Sequence, residues 1–295
     1  MNNLNQLYIF GEVLYDCFPT GEKVLGGAPF NVAWNLQSFG DQPEFISRIG
    51  KDVDGDKILA AMLNWGMNTD SIQIDEKRPT GRVEVTIQNN EPSYNIVENS
   101  AYDFINKELV PNSDISGILY HGTLCLRNQI SQSAFNEMIQ NHNLKIFVDV
   151  NLRSPWWQKD LVLESLRHAH WVKMNEDELN QLTDTTENIQ IKMTELQKTY
   201  KLQQVIITRG AQGTIILTDD NEFHSQTPQK VERLVDTVGA GDAFSSVYIH
   251  GLRAGWPVEL NLQRAQIFAG KVIGLRGATT TDSSFYEDFI SSIGP

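Results

Sequence analysis

Leu234-Val235-Asp236-Thr237-Val238-Gly239-Ala240-Gly241-Asp242-Ala243-Phe244 reads as a strand end, a glycine turn and the start of a helix. The helix is supported independently, because Ala243, Phe244, Val247, Tyr248, Gly251 and Leu252 share one face at the helical period. Gly239 and Gly241 permit torsions and close approach that side chains would block, and they leave N–H groups at the helix start where a transferring phosphate can bind. Asp242 falls in the first helical turn, where the macrodipole favours its ionised form, so a carboxylate is expected there at neutral pH. It reads either as an ordinary acidic helix cap or as a base that takes a proton from a hydroxyl attacking the bound phosphate. Spacing excludes the familiar alternatives. The third glycine of a dinucleotide fingerprint is missing, Gly50-Lys51 and Gly270-Lys271 lack the rest of a Walker loop, and no G-x-S-x-G elbow occurs.

Upstream, Gly26-Gly27-Ala28-Pro29-Phe30-Asn31-Val32-Ala33 is a second glycine turn leading into a helix. Pro29 suits its first turn, and Val32, Ala33, Leu36 and Phe39 supply the buried stripe. Asn31 lies next to the turn, where it can reach a ligand's hydroxyls or be satisfied by backbone.

Around these turns, β-branched or aromatic runs alternate with segments of helical period. Strands are expected at Leu7–Val13, Glu44–Arg48, Ile118–His121, Lys145–Val150, Trp171–Met174 and Val205–Thr208. Helices are expected around Phe30–Phe39, Asp54–Trp65, Ser131–Asn141, Lys159–Ala169, Glu187–Tyr200, Ala240–Ala254 and Leu260–Leu275. This alternation builds an α/β protein with a mainly parallel central sheet covered by helices. From Gly81 to Val97 the rhythm changes to strict alternation around Asn89-Asn90-Glu91-Pro92, a β-hairpin. With the segment near 16–24 it is expected to form a small antiparallel lid. No repeat, low-complexity tract or Pro/Gly linker divides the chain, so residues 1–295 read as a single domain.

Composition narrows the function classes. The chain has 24 Lys and Arg against 37 Asp and Glu, a net charge of −13, which argues against a partner made of nucleic acid or anionic lipid. Cys17 and Cys125 stand far apart, so a disulfide framework or cysteine zinc site is not expected. The apolar run Leu7–Leu14 is short and contains Glu12, unlike a leader or a membrane span, and a soluble cytoplasmic protein is expected. His168 and His170 do not share a helix face, and no H-E-x-x-H exists.

Together the two glycine turns resemble the two signatures of the ribokinase-like, PfkB-type carbohydrate kinases, in the same order and over nearly the whole chain. Gly26–Leu59, including Arg48-Ile49-Gly50-Lys51-Asp52-Val53-Asp54-Gly55, is similar to the first signature, and Asp236–Phe244 to the second. The resemblance implies a three-layer α/β/α fold with a small β lid and ATP-dependent transfer to a sugar hydroxyl. Asp242 would be the base, and Gly239, Ala240 and Gly241 the amide cradle. Asp16, Gly27 and Asn31 match the family's sugar contacts. Asp149-Val150-Asn151-Leu152-Arg153, followed by Trp156-Trp157, is similar to the D-P-N-L-R…W stretch of fructokinases and makes Arg153 a contact for substrate or phosphate.

On the nucleotide side, Asn175-Glu176-Asp177-Glu178 matches an N-x-x-E motif. It would place Asn175 near the phosphates and Glu178 on magnesium through water. Thr208, Gly210 and Gly213 resemble the family's nucleotide turn, while Gly270 replaces the asparagine that ribokinases carry in the penultimate helix. Asp236, Val238 and Ala278 occupy positions where relatives bind a monovalent cation such as K+. The turn has the G-G-A-P form of fructokinases rather than the G-G-K-G form of ribokinases, so D-fructose, phosphorylated at its 6-hydroxyl, is the expected acceptor. A 2-keto-3-deoxygluconate kinase, a ribokinase or a nucleoside-type kinase is the alternative within the class, and a non-catalytic sugar or nucleotide sensor the alternative outside it. A homodimer joined through the lids is the assembly the resemblance implies.

Overall fold

In β1 (Leu7–Phe10), Leu7 and Ile9 pack into one hydrophobic cluster and Tyr8 and Phe10 into another, and all four are buried. A strand buried on both faces belongs to a sheet covered by helices on both sides. This computed structural model describes residues 4, 6–88, 91–111, 115–140, 143–183, 186–228 and 235–293. The remaining strands are β2 (Leu14–Cys17), β3 (Lys23–Gly26), β4 (Glu44–Gly50), β5 (Ile72–Asp75), β6 (Gly81–Gln88), β7 (Glu91–Ile96), β8 (Ser116–His121), β9 (Asn143–Asp149), β10 (Trp171–Asn175), β11 (Gln204–Thr208), β12 (Thr214–Thr218) and β13 (Phe223–Gln226). Among the described residues, nine of these strands form the main sheet, ordered β13-β12-β11-β10-β9-β8-β1-β4-β5. It is parallel from β5 to β11 and antiparallel only where β12 and β13 extend its edge.

The helices are α1 (Ala28–Ser38), α2 (Val53–Asn64), α3 (Gln129–Gln140), α4 (Lys159–His168), α5 (Glu176–Leu182), α6 (Ile189–Tyr200), α7 (Ala240–Ala254), α8 (Val258–Val272) and α9 (Ser283–Ile293). Phe30, Ile58, Phe244, Phe268 and Phe289 bring α1, α2, α7, α8 and α9 onto the Ile9, Phe45 and Phe147 face. Phe135 and Met138 of α3 pack on the Phe10 and Leu119 face, and Val162, Leu166, Met193 and Leu196 of α4 and α6 continue that layer under Val148 and Val172. Each such fully buried side chain contributes about 1.5–3 kcal/mol. The chain is therefore a three-layer α/β/α protein, as expected.

Strand order places a switch at β1. The strands that follow it, β4 and β5, lie on one side, and the later β8 to β11 lie on the other. In open α/β sheets the crevice at the carboxyl ends of such strands is where ligands bind.

A second sheet, ordered β3-β2-β6-β7, stands beside the first. It is mixed rather than antiparallel, because β2 and β6 leave the body in the same direction and pair in parallel. Lys23 reaches Asp54 at 2.5 Å and Arg276 reaches Glu22 at 2.6 Å, tying this sheet to α2 and to the loop after α8. Exposed pairs of this kind each contribute about 0–1 kcal/mol.

Several boundaries differ from the periodicity. β1 stops at Phe10 because Gly11, at φ 154°, lies against the Pro29 ring, where a Cβ would come within 2.4 Å. Asn188 caps α6 by accepting from the Ile191 amide, so that helix starts at Ile189 rather than Glu187. Pro257 moves the start of α8 to Val258, and the helix ends at Val272 rather than Leu275. Leu234, Asn141 and the hairpin turn at Asn89-Asn90 lie outside the described residues. Cys17 and Cys125 are free thiols. No helix among the described residues is long and apolar enough to cross a membrane.

Candidate active site

Gly239 caps α7 from the left-handed region, at φ 79°, and a Cβ built there would stand 2.3 Å from the Ala278 methyl. Only glycine lets the loop before α7 rest on the loop after α8. Val235 and Asp236 donate their N–H groups to the Ile273 carbonyl at 2.9 and 3.2 Å, and the Val238 amide donates to Asp236 Oδ1 at 3.0 Å. Asp236, Val238 and Ala278 thus gather at the foot of α7. The first-turn amides of Ala240, Gly241 and Asp242 head the helix, that of Ala240 making a long 3.4 Å turn contact with the Thr237 carbonyl.

Asp242 Oδ2 accepts the Asn31 Nδ2–H at 2.8 Å. Burial pushes the Asp242 carboxyl up to about 6; the bond from Asn31 opposes this, the charge of Asp149 adds to it, and Lys173 and Arg153 pull it back. The carboxylate expected from the helix dipole is therefore the main form at neutral pH, but with less margin than the dipole alone would give. Asn31 spends its amide nitrogen on Asp242, and its Oδ1 is buried without a hydrogen-bond partner.

The glycine turn before Asn31 is set by contact. Gly27 has φ 110°, and a Cβ there would meet the Glu12 carbonyl oxygen at 2.6 Å. Asp16, on β2, has its carboxyl raised by burial, with Arg153 opposing and Asp236 adding to the rise. Arg153 is exposed in the segment between β9 and α4, and its charge is felt at Asp242, Asp16 and Glu12 alike. Arg153 thus couples electrostatically to Asp16, Glu12 and Asp242, while Asn31 is bonded to Asp242 and Gly27 lies against the Glu12 backbone, which brings the expected acceptor-side residues together near the end of β1.

Next to Asp242 lies a network absent from the sequence reading. Asp149 Oδ2, at the end of β9, accepts from Lys173 Nζ at 2.7 Å, Ser245 Oγ at 2.8 Å and the Tyr120 hydroxyl at 3.3 Å. Lys173 is 5% exposed, and its Nζ lies 3.3 Å from where a Cβ on Gly241 would stand. A fixed positive charge thus sits next to the helix start. Glu12 was also missed as a site residue; it is 3% exposed at the end of β1, and burial pushes its carboxyl to about 7.

Two of the residues expected to meet nucleotide lie at neighbouring strand ends, since Asn175 and Thr208 are register partners on β10 and β11. Asn175 caps α5: its Oδ1 accepts the Glu178 amide at 2.8 Å, while Glu178 Oε2 accepts the Asn175 amide at 2.8 Å. Glu178 Oε1 also accepts the Leu152 amide at 2.8 Å, so the N-x-x-E motif brackets the segment that carries Arg153. Gly210 at φ 52° and Gly213 at φ 90° shape the turn into β12, and a Cβ on Gly213 would come within 2.0 Å of the Gln226 carbonyl. Gly270 lies in α8, whose Gln266 Oε1 accepts from Thr214 Oγ1 at 3.0 Å and so links that helix to the same sheet edge. Among the described residues no group of three or more His, Cys, Asp or Glu side chains could hold a metal ion. The lone pairs left on Glu178 fit a water-mediated contact better than direct coordination.

A carboxylate at a glycine-headed helix start, near the switch point of a parallel sheet, is the arrangement that phosphoryl transfer to a hydroxyl calls for. The profile of the pfkB family carbohydrate kinases matches residues 8–284, and the chain belongs to that family. It is 30% identical over 257 residues to a fructokinase of Vibrio alginolyticus, a match covering 82% of this chain and 82% of that one. Its fold is similar to a fructokinase double mutant from Vibrio cholerae O395 in fructose, ADP and potassium ion bound form, with TM-score 0.82, 23% identity, and coverage of 97% of this chain and 99% of that one. The aminoimidazole riboside kinase of Salmonella enterica, complexed with aminoimidazole riboside and an ATP analog, superposes with TM-score 0.85 at 22% identity, covering 98% of this chain and 100% of that one.

Proposed function

We propose that this carbohydrate kinase is a fructokinase that transfers the γ-phosphoryl group of ATP to the 6-hydroxyl of D-fructose. The observation that carries the reading is Asp242, held by Asn31 at 2.8 Å at the head of a glycine-capped helix. The G-G-A-P form of the first turn and the likeness to the Vibrio alginolyticus fructokinase support the choice of sugar.

The sugar binds beyond the end of β1 with Asp16, Gly27, Asn31 and Arg153 around it, and its 6-hydroxyl donates to Asp242. As the oxygen–phosphorus bond forms and the bond to the ADP oxygen breaks, the hydroxyl proton passes to Asp242. The first-turn amides, with Lys173 beneath Gly241, stabilise charge on the transferring group. ATP lies along Asn175, Thr208, Gly210, Gly213 and Gly270. Magnesium, when bound, neutralises phosphate charge, and Glu178 would hold it through water. Backbone at Asp236, Val238 and Ala278 would hold a potassium ion, a reading supported by the Vibrio cholerae fructokinase in potassium ion bound form. The small sheet, carrying Asp16, serves as a lid that excludes water, and two copies pair along its edge. Residues 1–295 act as one catalytic unit.

The test is ADP release with MgATP and a panel of D-fructose, D-ribose, 2-keto-3-deoxygluconate and nucleosides. The highest kcat/KM for D-fructose, with product phosphorylated at carbon 6, is expected. Preference for another acceptor overturns the choice of sugar, and binding without ADP release overturns the kinase assignment in favour of a sensor.

A further inference from the structure

Two acceptor atoms at the switch point have no donor. Glu12 Oε2 and Asn31 Oδ1 are both buried without hydrogen-bond partners, on residues 3% and 4% exposed. They belong to one corner of the molecule, because the Glu12 peptide carbonyl presses on Gly27 and the Asn31 amide nitrogen holds Asp242. The charges that act on the Glu12 carboxyl confirm its surroundings: Arg153, Asp242 and Arg127. Of these, Arg127 binds Asp103, the Val97 carbonyl and the Tyr102 hydroxyl through Nε and Nη2, while its Nη1 is buried and makes no bond to Glu12, and Arg153 is exposed at the rim. A buried acceptor left unpaired is costly, and it is satisfied by a ligand that brings hydrogen to it. A sugar hydroxyl does so, whereas a carboxylate or phosphate brings only further acceptors.

Resting on the sugar-kinase reading, we propose that Glu12 is a specificity-determining residue of the acceptor site. Its Oε2 and Asn31 Oδ1 take hydroxyl hydrogens of a neutral polyhydroxylated sugar, and the site rejects sugars that present an anionic group there. A site built to pair with a substrate hydroxyl discriminates strongly against the analogue that lacks it, because its own polar groups are then stranded. Glu12 supplies that pairing from the short segment between β1 and β2.

The test uses the full chain and three proteins, wild type, Glu12→Leu and Glu12→Gln, each checked for folding by circular dichroism and thermal melting. ADP release is measured with neutral hexoses and pentoses, their monodeoxy analogues and 2-keto-3-deoxygluconate. Glu12→Leu is expected to raise KM for the preferred sugar about 10- to 100-fold while kcat changes less than about threefold. Glu12→Gln, which keeps a carbonyl oxygen, should fall between the two. At one hydroxyl position, removal should cost the wild type about tenfold or more in kcat/KM and the Leu variant about twofold or less. Equal discrimination by all three proteins, or a fall in kcat at constant KM, overturns the proposal while leaving the kinase reading intact. A wild type that prefers the sugar acid overturns the neutral-sugar claim, and one that phosphorylates no sugar overturns both readings. Should the Leu variant fail to fold, undiminished discrimination in the Gln variant is the overturning result.

Discussion

Asn31 donates its side-chain N–H to Asp242 Oδ2 at 2.8 Å, joining the first turn of α1 to the first turn of α7 across 211 residues of chain. The bond fixes the orientation of the carboxylate and favours its ionised form against the burial that opposes it. The two glycine turns are therefore two halves of one device. One supplies the base, and the other holds it.

Asp242→Asn keeps the size of the side chain and removes the proton acceptor. Turnover should fall by about 10² to 10⁴ while sugar and ATP affinities stay within a few-fold. Single-turnover kinetics with binding measured by calorimetry separates the two effects. Turnover near wild type would mean that Asp242 is a helix cap and no more.

The pH dependence of activity and of stability should run in opposite directions. Activity needs the ionised base, so kcat/KM should rise through about pH 6, the value to which burial pushes Asp242. Asn31→Ala removes a donor that stabilises the ionised form and should move that midpoint upward. Stability follows the other sign. Asp242 at about 6 and Glu12 at about 7 bind protons more tightly folded than unfolded, so their contribution is complete below the ordinary carboxylate range. It is lost as pH rises through those values. At pH 8, Asp242→Asn should therefore melt higher than wild type, a gain of about 1–3 kcal/mol set against the weaker bond to Asn31. Melting curves from pH 5 to 8 for both proteins check the sign.

Much of the fold was legible because alternation and helical period report burial, and burial here is regular. β1, β4, β8 to β11 and the helices that cover them carry nearly unbroken apolar faces. Not every element was read: α9 and β12 were missed although Tyr286, Phe289, Ile216 and Leu217 are buried in them, and others lacked such a face. α5 is a short acidic segment defined by its capping box, and β13 is an edge strand with no fully buried residue. The small sheet was legible as a hairpin, but its parallel β2–β6 pairing was not, since that depends on how two distant segments leave the body. In the site, the glycines and Asp242 announced themselves by local chemistry. Lys173 did not: within Trp171-Val172-Lys173-Met174 it looks like a lysine on an exposed edge, and its partners Asp149 and Ser245 come from other elements. Glu12 was legible only as a charge that spoils a leader segment, because its isolation is a property of the packed structure.

Gly239→Ala should damage both stability and rate. The position needs φ 79°, which costs a non-glycine residue about 1–2 kcal/mol, and the new methyl would overlap Ala278. Relief requires the loop and the first-turn amides to move, and displacement of positioning groups by about 1 Å can cost about 10² in rate. A variant with lower melting temperature but unchanged turnover would show that the amides do not serve the reaction.

Lys173 and Asp149 allow charge and packing to be separated. Lys173→Met leaves Asp149 buried without its cation, which should destabilise the protein by about 3–5 kcal/mol. It should also raise the activity midpoint of Asp242, since Lys173 draws that group down. The double variant Lys173→Met with Asp149→Asn removes the stranded charge and should recover most of the stability. Its midpoint should return close to that of wild type, because Asp149 and Lys173 act on Asp242 in opposite senses. If the ammonium beneath Gly241 serves the transferring phosphate, the plateau value of kcat stays low in the double variant even though fold and midpoint are restored. Recovery of kcat together with stability would make the pair a structural brace, and the electrostatic role would then fall to the helix amides alone.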